Sequence, residues 1–289
     1  MKANAQQVYT EAQKAFAAQL TNKFVKGNGD KGCLKSIAAD LVEFIDSDVQ
    51  AESLADILLE RKPAFNGTVK WNKKPDHDAY WLDEDGQFIK SKNNKMSISP
   101  PTKLITAQAV FNLLDLKRGD IASITEQADS AKDDIVKKIN AYIFDLYAEA
   151  AEATMKVNSA VKLLPTAMDT ALANLEDKGF TPTLWVGRAS RFSDIKSDTT
   201  MGDPLTSDLK SKGVQSQMYG GANFLYAPGM SKSTVLLLSS LKPGKIQDEF
   251  SLTSRQIEAD DELEMGVNLW QTTRFGITNA FRFAEITIV

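Results

Sequence analysis

Residues 129–155 read DSAKDDIVKKINAYIFDLYAEAAEATM and contain the most regular pattern in the chain. Apolar side chains recur there with the spacing of an amphipathic helix, at Ile135, Ile139, Tyr142, Ile143, Leu146, Tyr147 and Ala150. Ser130 followed by Asp133 resembles a capping box, which predicts that the helix begins near Asp129 and continues to Met155. At the α-helical rise per residue, this helix is roughly 40 Å long, which is long for a globular protein.

The residues that precede this helix predict shorter helices with flexible connections. Apolar spacing predicts an amphipathic helix over residues 3–25, and the glycine-rich run 27–32 follows it. That run has the residue spacing of the G-x-G-x-x-G dinucleotide-binding motif. The motif binds a dinucleotide only when a strand precedes it, and here a helix is predicted instead. We interpret it as a hinge. A second helix is predicted from Ser36, as its N-cap, to Ile45, and a third over residues 54–58, closed by Pro63.

Residues 66–100 differ in character from the helical segments around them. Aromatic and β-branched residues alternate there with Asn, Asp, Lys and Gly, which is typical of strands joined by turns. The segment has too few apolar residues for a core of its own, so we predict an extended β-arm. The arm is basic through Lys70, Lys73, Lys74, Lys90, Lys92 and Lys95. Three explanations fit this charge: nucleic acid, an acidic surface on a neighbouring copy, or solubility.

The remaining residues predict a mixed α+β fold. A strand is expected over residues 103–115, and a helix follows Pro165, with Thr166 as its N-cap and Gly179 at its C′ position. Buried strands are expected at 183–187 and 235–238. Residues 262–269 alternate apolar and charged or polar side chains, and we expect further strands through Phe281, Phe283, Ile286 and Ile288. The elements do not follow the regular β-α-β alternation of a doubly wound fold.

Composition excludes several classes of protein. The chain has 289 residues, 43% of them hydrophobic, so it has enough apolar residues for a core. Its formal net charge is −4, which argues against the basic surface of a dedicated nucleic-acid binder. A single cysteine, Cys33, allows no internal disulfide, and a single histidine, His77, allows no multi-histidine metal site. The N-terminal residues lack the apolar region of a secretory signal, and no apolar run is long enough to cross a membrane.

No motif in the chain predicts catalysis. Asp76-His77-Asp78 has metal-competent side chains, but adjacent residues of an extended arm point to alternate sides, and we interpret the motif as a solvated turn. The acidic residues near the C-terminus could bind a cation. They could instead form a solvated strand edge or pair with basic residues of a neighbouring copy, and we favour this second explanation. These acidic residues are Glu258, Asp260, Asp261, Glu262 and Glu264.

The order of these elements resembles that of the tailed-bacteriophage major capsid proteins, which have the Hong Kong 97-type fold that encapsulins share. Residues 81–86, WLDEDG, resemble the acidic-glycine stretch of the family's extended loop, the E-loop. Residues 165–186 resemble its axial helix and central strand. The stretches Leu269-Trp270, Arg274-Phe275-Gly276 and Phe281-Arg282-Phe283-Ala284 resemble its C-terminal signature.

The resemblance implies a division of the chain into five parts. These are an N-terminal arm with helices (1–63), an E-loop β-hairpin (64–101), a peripheral domain with a long spine helix (102–157), an axial domain (158–250) and returning strands (251–289). It also implies contacts between copies of the chain. The residues expected to make them are Trp71, Tyr80, Trp81, Phe88, Lys90, Lys92, Glu258, Asp260 and Asp261.

By this resemblance the protein is expected to be a structural protein without cofactor or metal, not an enzyme. It is expected to assemble in the host cytoplasm into pentamers and hexamers of an icosahedral virion head around double-stranded DNA. Expected partners are a scaffolding protein, a portal and a decoration protein, with no membrane. Two alternatives stay open: an encapsulin-like compartment that holds protein cargo, and a metal-dependent small-molecule enzyme that uses the acidic cluster.

Overall fold

The structure is a computed structural model, and it describes residues 10–27, 31–73, 97–196, 218–258 and 264–289. Helices and mixed sheets are both present, so the α+β prediction is confirmed. The chain divides into two compact units, each built from separate stretches of sequence. Unit 1 contains Met1–Leu54, Thr102–Asn140 and Asp248–Thr273, and unit 2 contains Ala55–Pro101, Ala141–Gln247 and Arg274–Val289.

Helices dominate the first half of the described chain and strands dominate the second. The helices are α1 (Glu11–Lys26), α2 (Lys31–Glu52), α3 (Ala55–Leu58), α4 (Leu113–Arg118), α5 (Ile121–Ala150), α6 (Pro165–Glu176) and α7 (Ala189–Lys196). The first strands are β1 (Leu59–Lys62), β2 (Trp71–Asn72), β3 (Ser97–Ile98), β4 (Thr102–Asn112), β5 (Lys156–Ser159) and β6 (Pro182–Gly187). The later strands are β7 (Met218–Tyr219), β8 (Ala222–Tyr226), β9 (Thr234–Ser239), β10 (Gly244–Glu258), β11 (Glu264–Ile277) and β12 (Phe283–Ile288). Short 3-10 helices cover Ala153–Met155 and Ala280–Arg282.

In unit 1, the predicted first helix is confirmed from Glu11 onward. It begins with a capping box: the Thr10 hydroxyl accepts a hydrogen bond from the Gln13 N–H at 3.2 Å, and the Gln13 side-chain oxygen accepts one from the Thr10 N–H at 3.0 Å. Phe16 of α1 stacks on Phe44 of α2, with 4.1 Å between the ring centroids. This contact and the burial of Leu20 hold the two helices together.

The predicted start of the second helix is wrong. Helix α2 begins at Lys31, so Ser36 lies inside it, where its hydroxyl accepts a hydrogen bond from the Lys23 ammonium at 3.0 Å instead of capping the helix. Gly27 ends α1 by donating its N–H to the Lys23 carbonyl. A Cβ added to Gly27 would lie 2.4 Å from the Cβ of Cys33, so the close approach of the two helices requires glycine here.

Arg118-Gly119-Asp120 forms the junction between α4 and α5. Gly119 adopts the left-handed conformation, with φ of 68°, and ends α4. The Asp120 carboxylate accepts hydrogen bonds from the N–H groups of Ala122 and Ser123 at 3.1 and 3.4 Å, so Asp120 caps the start of α5. This tripeptide therefore has a structural role that the sequence analysis missed.

The long helix is confirmed, but both of its predicted ends are wrong. Helix α5 runs for 30 residues, from Ile121 to Ala150, instead of from Asp129 to Met155. Ser130 and Asp133 lie within it and cap nothing. The reason is that Asp120 supplies the cap, and that the apolar face continues toward the N-terminus through buried Ile124 and Ala128.

The strand predicted over residues 103–115 is confirmed as β4, which ends at Asn112. The Asn112 side chain accepts a hydrogen bond from the Leu114 N–H at 2.8 Å and starts α4, so residues 113–115 are helical. Strand β4 is paired with β11. In the same unit, the Asp248 carboxylate accepts hydrogen bonds from the Gln271 amide at 3.0 Å and the Thr273 hydroxyl at 2.8 Å, which joins β10 to β11.

In unit 2, residues after α3 form a strand that was not predicted. Strand β1 pairs in parallel with β10, from Leu59 opposite Gly244 to Lys62 opposite Gln247. Pro63 therefore ends a strand and not a helix. The physical reason is that pairing with β10 satisfies the backbone of residues 59–62, which apolar periodicity does not reveal.

The core of unit 2 lies between helix α6 and a sheet with the strand order β5-β12-β9-β6-β8-β7. Both predicted buried strands are confirmed, as β6 and β9. Trp185 of β6 is fully buried, and its indole N–H donates a hydrogen bond to the Tyr219 carbonyl at 3.1 Å. Other buried members of this core include Met168, Leu172, Leu175, Phe192, Leu237 and Ile286.

Thr166 does not cap α6. Leu164 is the N-cap residue and Pro165 is the first helical residue, a position that suits its fixed φ and missing N–H. Gly179 has a left-handed φ of 73°, two residues beyond the C-cap Asp177. Phe281 was predicted in a strand, but it belongs to the 3-10 helix that precedes β12.

Candidate assembly surfaces

Strands β2 and β3 form the root of the predicted hairpin in unit 2. They pair antiparallel, with Trp71 opposite Ile98 and Asn72 opposite Ser97. Trp71 and Ile98 both pack on β11 at Gly276. A Cβ added to Gly276 would lie 2.9 Å from the Ile98 Cδ1 and 3.0 Å from the Trp71 ring. The two limbs that enter and leave residues 74–96 are therefore fixed side by side on unit 2.

The segment 63–70, which leads into the root, is held by polar side chains of the neighbouring strands. Arg274 of β11 is only 5% exposed and donates a hydrogen bond to the Phe65 carbonyl at 2.9 Å. Gln247 of β10 donates one to the Pro63 carbonyl at 2.7 Å. These bonds anchor the backbone of the segment, while the side chain of Phe65 stays 52% exposed.

A shallow hollow of about 460 Å³ lies along this segment. Its lining is mainly apolar, with Lys62 and Lys70 beside the apolar side chains. The Lys62 ammonium pairs with Glu60, and this hydrogen bond holds the pKa of the Glu60 carboxyl below its ordinary value. The lining residues are Lys62, Pro63, Ala64, Phe65, Thr68, Val69, Lys70, Trp71 and Gln247. We call this surface the root hollow.

A second groove, of about 580 Å³, lies in unit 1 between α2 and β10. Its floor is apolar, and Lys35 and Arg255 supply positive charge. The Ser254 hydroxyl donates a hydrogen bond to the Ala38 carbonyl at 3.0 Å and ties the strand to the helix beside the groove. The lining residues are Lys35, Ala38, Ala39, Val42, Leu252, Thr253, Ser254 and Arg255.

Of the residues expected to contact neighbouring copies, Trp71 is the one whose surroundings the structure describes. Trp71 is 6% exposed within its own chain, so it has little surface left for a neighbour to cover, and its contact with a neighbouring copy stays a prediction. Glu258 is the last residue of β10. The other predicted contact residues lie outside the described residues: Tyr80, Trp81, Phe88, Lys90, Lys92, Asp260 and Asp261.

The structure describes only some of the candidate chemical residues. The Cys33 thiol donates to the Lys23 carbonyl at 2.9 Å, while Asp76-His77-Asp78 lies outside the described residues. In the described part of the chain, no group of three or more His, Cys, Asp or Glu side chains is arranged to hold a metal ion. Among the same residues, no helix has the length and hydropathy needed to cross a membrane.

Sequence reasoning missed the residues that build the hairpin root and the root hollow. Phe65 and Gln247 carry no motif, and their positions depend on the pairing of β1 with β10. Arg274 and Gly276 were noted as part of a family signature, but their contacts with Phe65, Trp71 and Ile98 come only from the fold. A glycine between strand residues was the available signal, since such glycines often mark a close approach.

Comparison with known proteins gives no match to a family model and no match among curated proteins. Solved structures do match. The chain aligns with a virus-like particle protein from Pyrococcus furiosus over 88% of its own length and 97% of that chain, with 14% identity and a TM-score of 0.53. A chain of Mycobacterium phage Adephagia aligns over 82% of this chain and 90% of its own length, with 13% identity and a TM-score of 0.61. The SrpI encapsulin complex from Synechococcus elongatus aligns over 80% of this chain and 85% of that chain, with 10% identity and a TM-score of 0.54.

These alignments cover most of each chain in both directions, so they concern the whole fold and not one motif. The chain has the Hong Kong 97-type capsid fold, as the resemblance in its sequence implied. The division into five parts at residues 63, 101, 157 and 250 stays a prediction.

Proposed function

We propose that this protein is a structural shell protein whose copies assemble as pentamers and hexamers into the icosahedral head of a tailed phage, around double-stranded DNA. The observation that carries the proposal is the near-complete alignment with shell proteins, which spans more than four fifths of this chain for a phage chain. A fold can host several functions, so the surfaces described above supply the second line of argument.

The hairpin root supports a role for residues 74–96 in contacts between copies. Residues 74–96 lie between the two root strands. Folded as a hairpin, these 23 residues would form two strands of about 11 residues, each roughly 36 Å long. We propose that this hairpin is the E-loop and extends over a neighbouring copy. Tyr80, Trp81 and Phe88 then lose apolar surface to the neighbour, at about 2 kcal/mol for each fully buried side chain.

Charge supports the choice of partner surface. Lys90 and Lys92 on the proposed hairpin carry charge opposite to Glu258, Asp260 and Asp261, which lie at the end of β10 and just beyond it. We propose that these groups pair between neighbouring copies. Lys90→Glu with Lys92→Glu is then expected to block assembly, and combining it with Asp260→Lys and Asp261→Lys to restore it. Failure of the combined variant to restore assembly contradicts this pairing.

The root hollow is the second proposed contact surface. Phe65 is half exposed on a segment whose backbone is anchored, so covering its ring costs little conformational entropy. Its position beside the hairpin root supports a neighbouring copy as the molecule that covers it. Lys70 beside the hollow favours an acidic rim on that copy.

The shell role brings further proposals about partners and location. The head is proposed to assemble in the host cytoplasm with a scaffolding protein, to join a portal and a decoration protein, and to be found in the virion. An encapsulin-like compartment is the alternative, and the alignment with the SrpI encapsulin complex, over 80% of this chain and 85% of that chain, supports it. No observation favours the metal-dependent enzyme.

Assembly of the purified full-length chain tests the proposal. Expressed alone and together with a candidate scaffold, the chain is expected to sediment as megadalton particles that appear closed under negative stain. A folded chain that stays monomeric under all of these conditions overturns the proposal. The particle contents then separate the two shell functions, because nuclease-protected DNA indicates a phage head and a single co-purified protein indicates a compartment.

A further inference from the structure

Glu285 is a buried acid in the middle of the main sheet of unit 2. It lies on β12, which has β5 on one side and β9 on the other, and it is 6% exposed. In register it stands opposite Lys156 on β5 and Leu236 on β9. Burial of an acid at such a position is costly unless charge or hydrogen bonds compensate it.

The compensation for Glu285 is incomplete. The Lys156 ammonium lies 3.8 Å from the Glu285 Oε2, too far for a hydrogen bond, and Lys156 is itself 43% exposed. The Oε2 atom has no hydrogen-bond partner. A partly exposed cation at this distance and a hydrogen bond with Thr287 leave an ionised carboxylate poorly satisfied.

The helix that packs on this side of the sheet adds no positive charge. Tyr147 of α5 contacts Phe283, which lies on the same face of β12 as Glu285, with 4.8 Å between the ring centroids. The Tyr147 hydroxyl donates its hydrogen bond to the Leu58 carbonyl at 2.8 Å. The other titratable groups of this part of α5 are Tyr142, Asp145 and Glu149, which are neutral or of the same sign as ionised Glu285.

We propose that Glu285 is a pH-sensitive element of the subunit: the neutral carboxyl is tolerated between β5 and β12, and its ionisation weakens the pairing of these strands. Strand β5 follows α5 after the 3-10 helix Ala153–Met155, so the effect acts where the long helix leads into the sheet. This pH dependence is a property of the single folded chain and does not depend on whether copies assemble into a shell.

The direction of the pH dependence follows from the burial. Desolvation raises the pKa of Glu285 above its ordinary value, and the Lys156 charge and a hydrogen bond with Thr287 offset only part of this. The folded chain then holds the proton to a higher pH than the unfolded chain does. Stability that is fully present below the ordinary glutamate pKa is therefore lost as the pH rises through the folded pKa.

Thermal unfolding of the full chain as a function of pH tests the proposal. Glu285→Gln keeps the shape and removes the charge, so its Tm relative to the unaltered chain is expected to rise as the pH increases above about 4. The expected rise is about 3 °C per pH unit until the folded chain has lost the proton. Glu152→Gln is the matched control, because Glu152 is exposed, and its Tm difference is expected to stay constant. A constant difference for Glu285→Gln overturns the proposal.

Infrared spectroscopy of the unaltered chain provides a test that survives a misfolded variant. A protonated carboxylic acid has its own carbonyl absorption, which is expected to persist in the folded chain above the pH range of an ordinary glutamate. The band is expected to vanish on unfolding at the same pH. Absence of such a band in the folded chain contradicts the proposal.

Discussion

Two aromatic side chains of unit 2 show how the sheet core and the hairpin root differ. Trp185 in the core is fully buried, packs edge-on against Tyr219 and satisfies its N–H on the Tyr219 carbonyl. Phe65 beside the root is 52% exposed, although a buried arginine anchors its backbone. Trp185 therefore finds its partners within the chain. Beside the root, hydrogen bonds within the chain hold the backbone in place, but the ring of Phe65 stays uncovered. This arrangement is expected where a neighbouring copy completes the packing.

Substitution within the core is expected to have the largest effect on folding. Trp185→Ala removes a fully buried ring and leaves the Tyr219 carbonyl without its donor. We expect it to lower the free energy of unfolding by about 3–5 kcal/mol, measured by denaturant unfolding of dissociated subunits. A loss below about 1 kcal/mol would show that this core is not the main source of stability.

Substitution at the root is expected to have an intermediate effect. Gly276→Ala places a Cβ about 3 Å from the Trp71 ring and the Ile98 side chain, so the root must shift. We expect a loss of about 1–3 kcal/mol in unfolding free energy, together with impaired assembly. Gly229→Ala is the matched control, since nothing lies within 4 Å of its added Cβ. Equal effects of the two substitutions would contradict the packing of the root on β11.

Substitution of the exposed aromatic is expected to change folding least. Phe65→Ser should alter the unfolding free energy by less than about 0.5 kcal/mol, because half of the ring already faces water. Assembly, followed by light scattering against protein concentration, should require a several-fold higher concentration. Leu241→Ser is the control, since Leu241 is equally exposed and does not line the root hollow. If both variants assemble alike, the root hollow is not a contact surface.

Much of the fold was predictable where one local signal dominates. The apolar runs of β6 and β9 predicted buried strands, and the 3.6-residue period predicted α5. Helix ends were less predictable, because several residues compete as caps and packing decides among them. Asp120 caps α5 while Ser130 lies within an uninterrupted helix, and α2 starts at Lys31 although Ser36 is the better capping residue by type.

The candidate surfaces were less predictable than the fold. Strand β1 exists because β10 lies beside it, a contact between residues about 185 positions apart in the chain that no local pattern encodes. Trp71 was expected to face a neighbour, because an arm with few apolar residues offers no cover of its own. Gly276 supplies cover within the chain, from the far end of the sequence.

Excision of the proposed hairpin tests the central claim most directly. Replacing residues 74–96 with a four-residue Gly-Ser link keeps the root pairs Trp71–Ile98 and Asn72–Ser97 and removes only what lies beyond them. Circular dichroism and a melting curve are expected to show an unchanged, folded subunit, and sedimentation is expected to show no closed shells. Closed shells of normal size from this variant would contradict the proposed role of residues 74–96, and a subunit that no longer folds would show that they belong to the core.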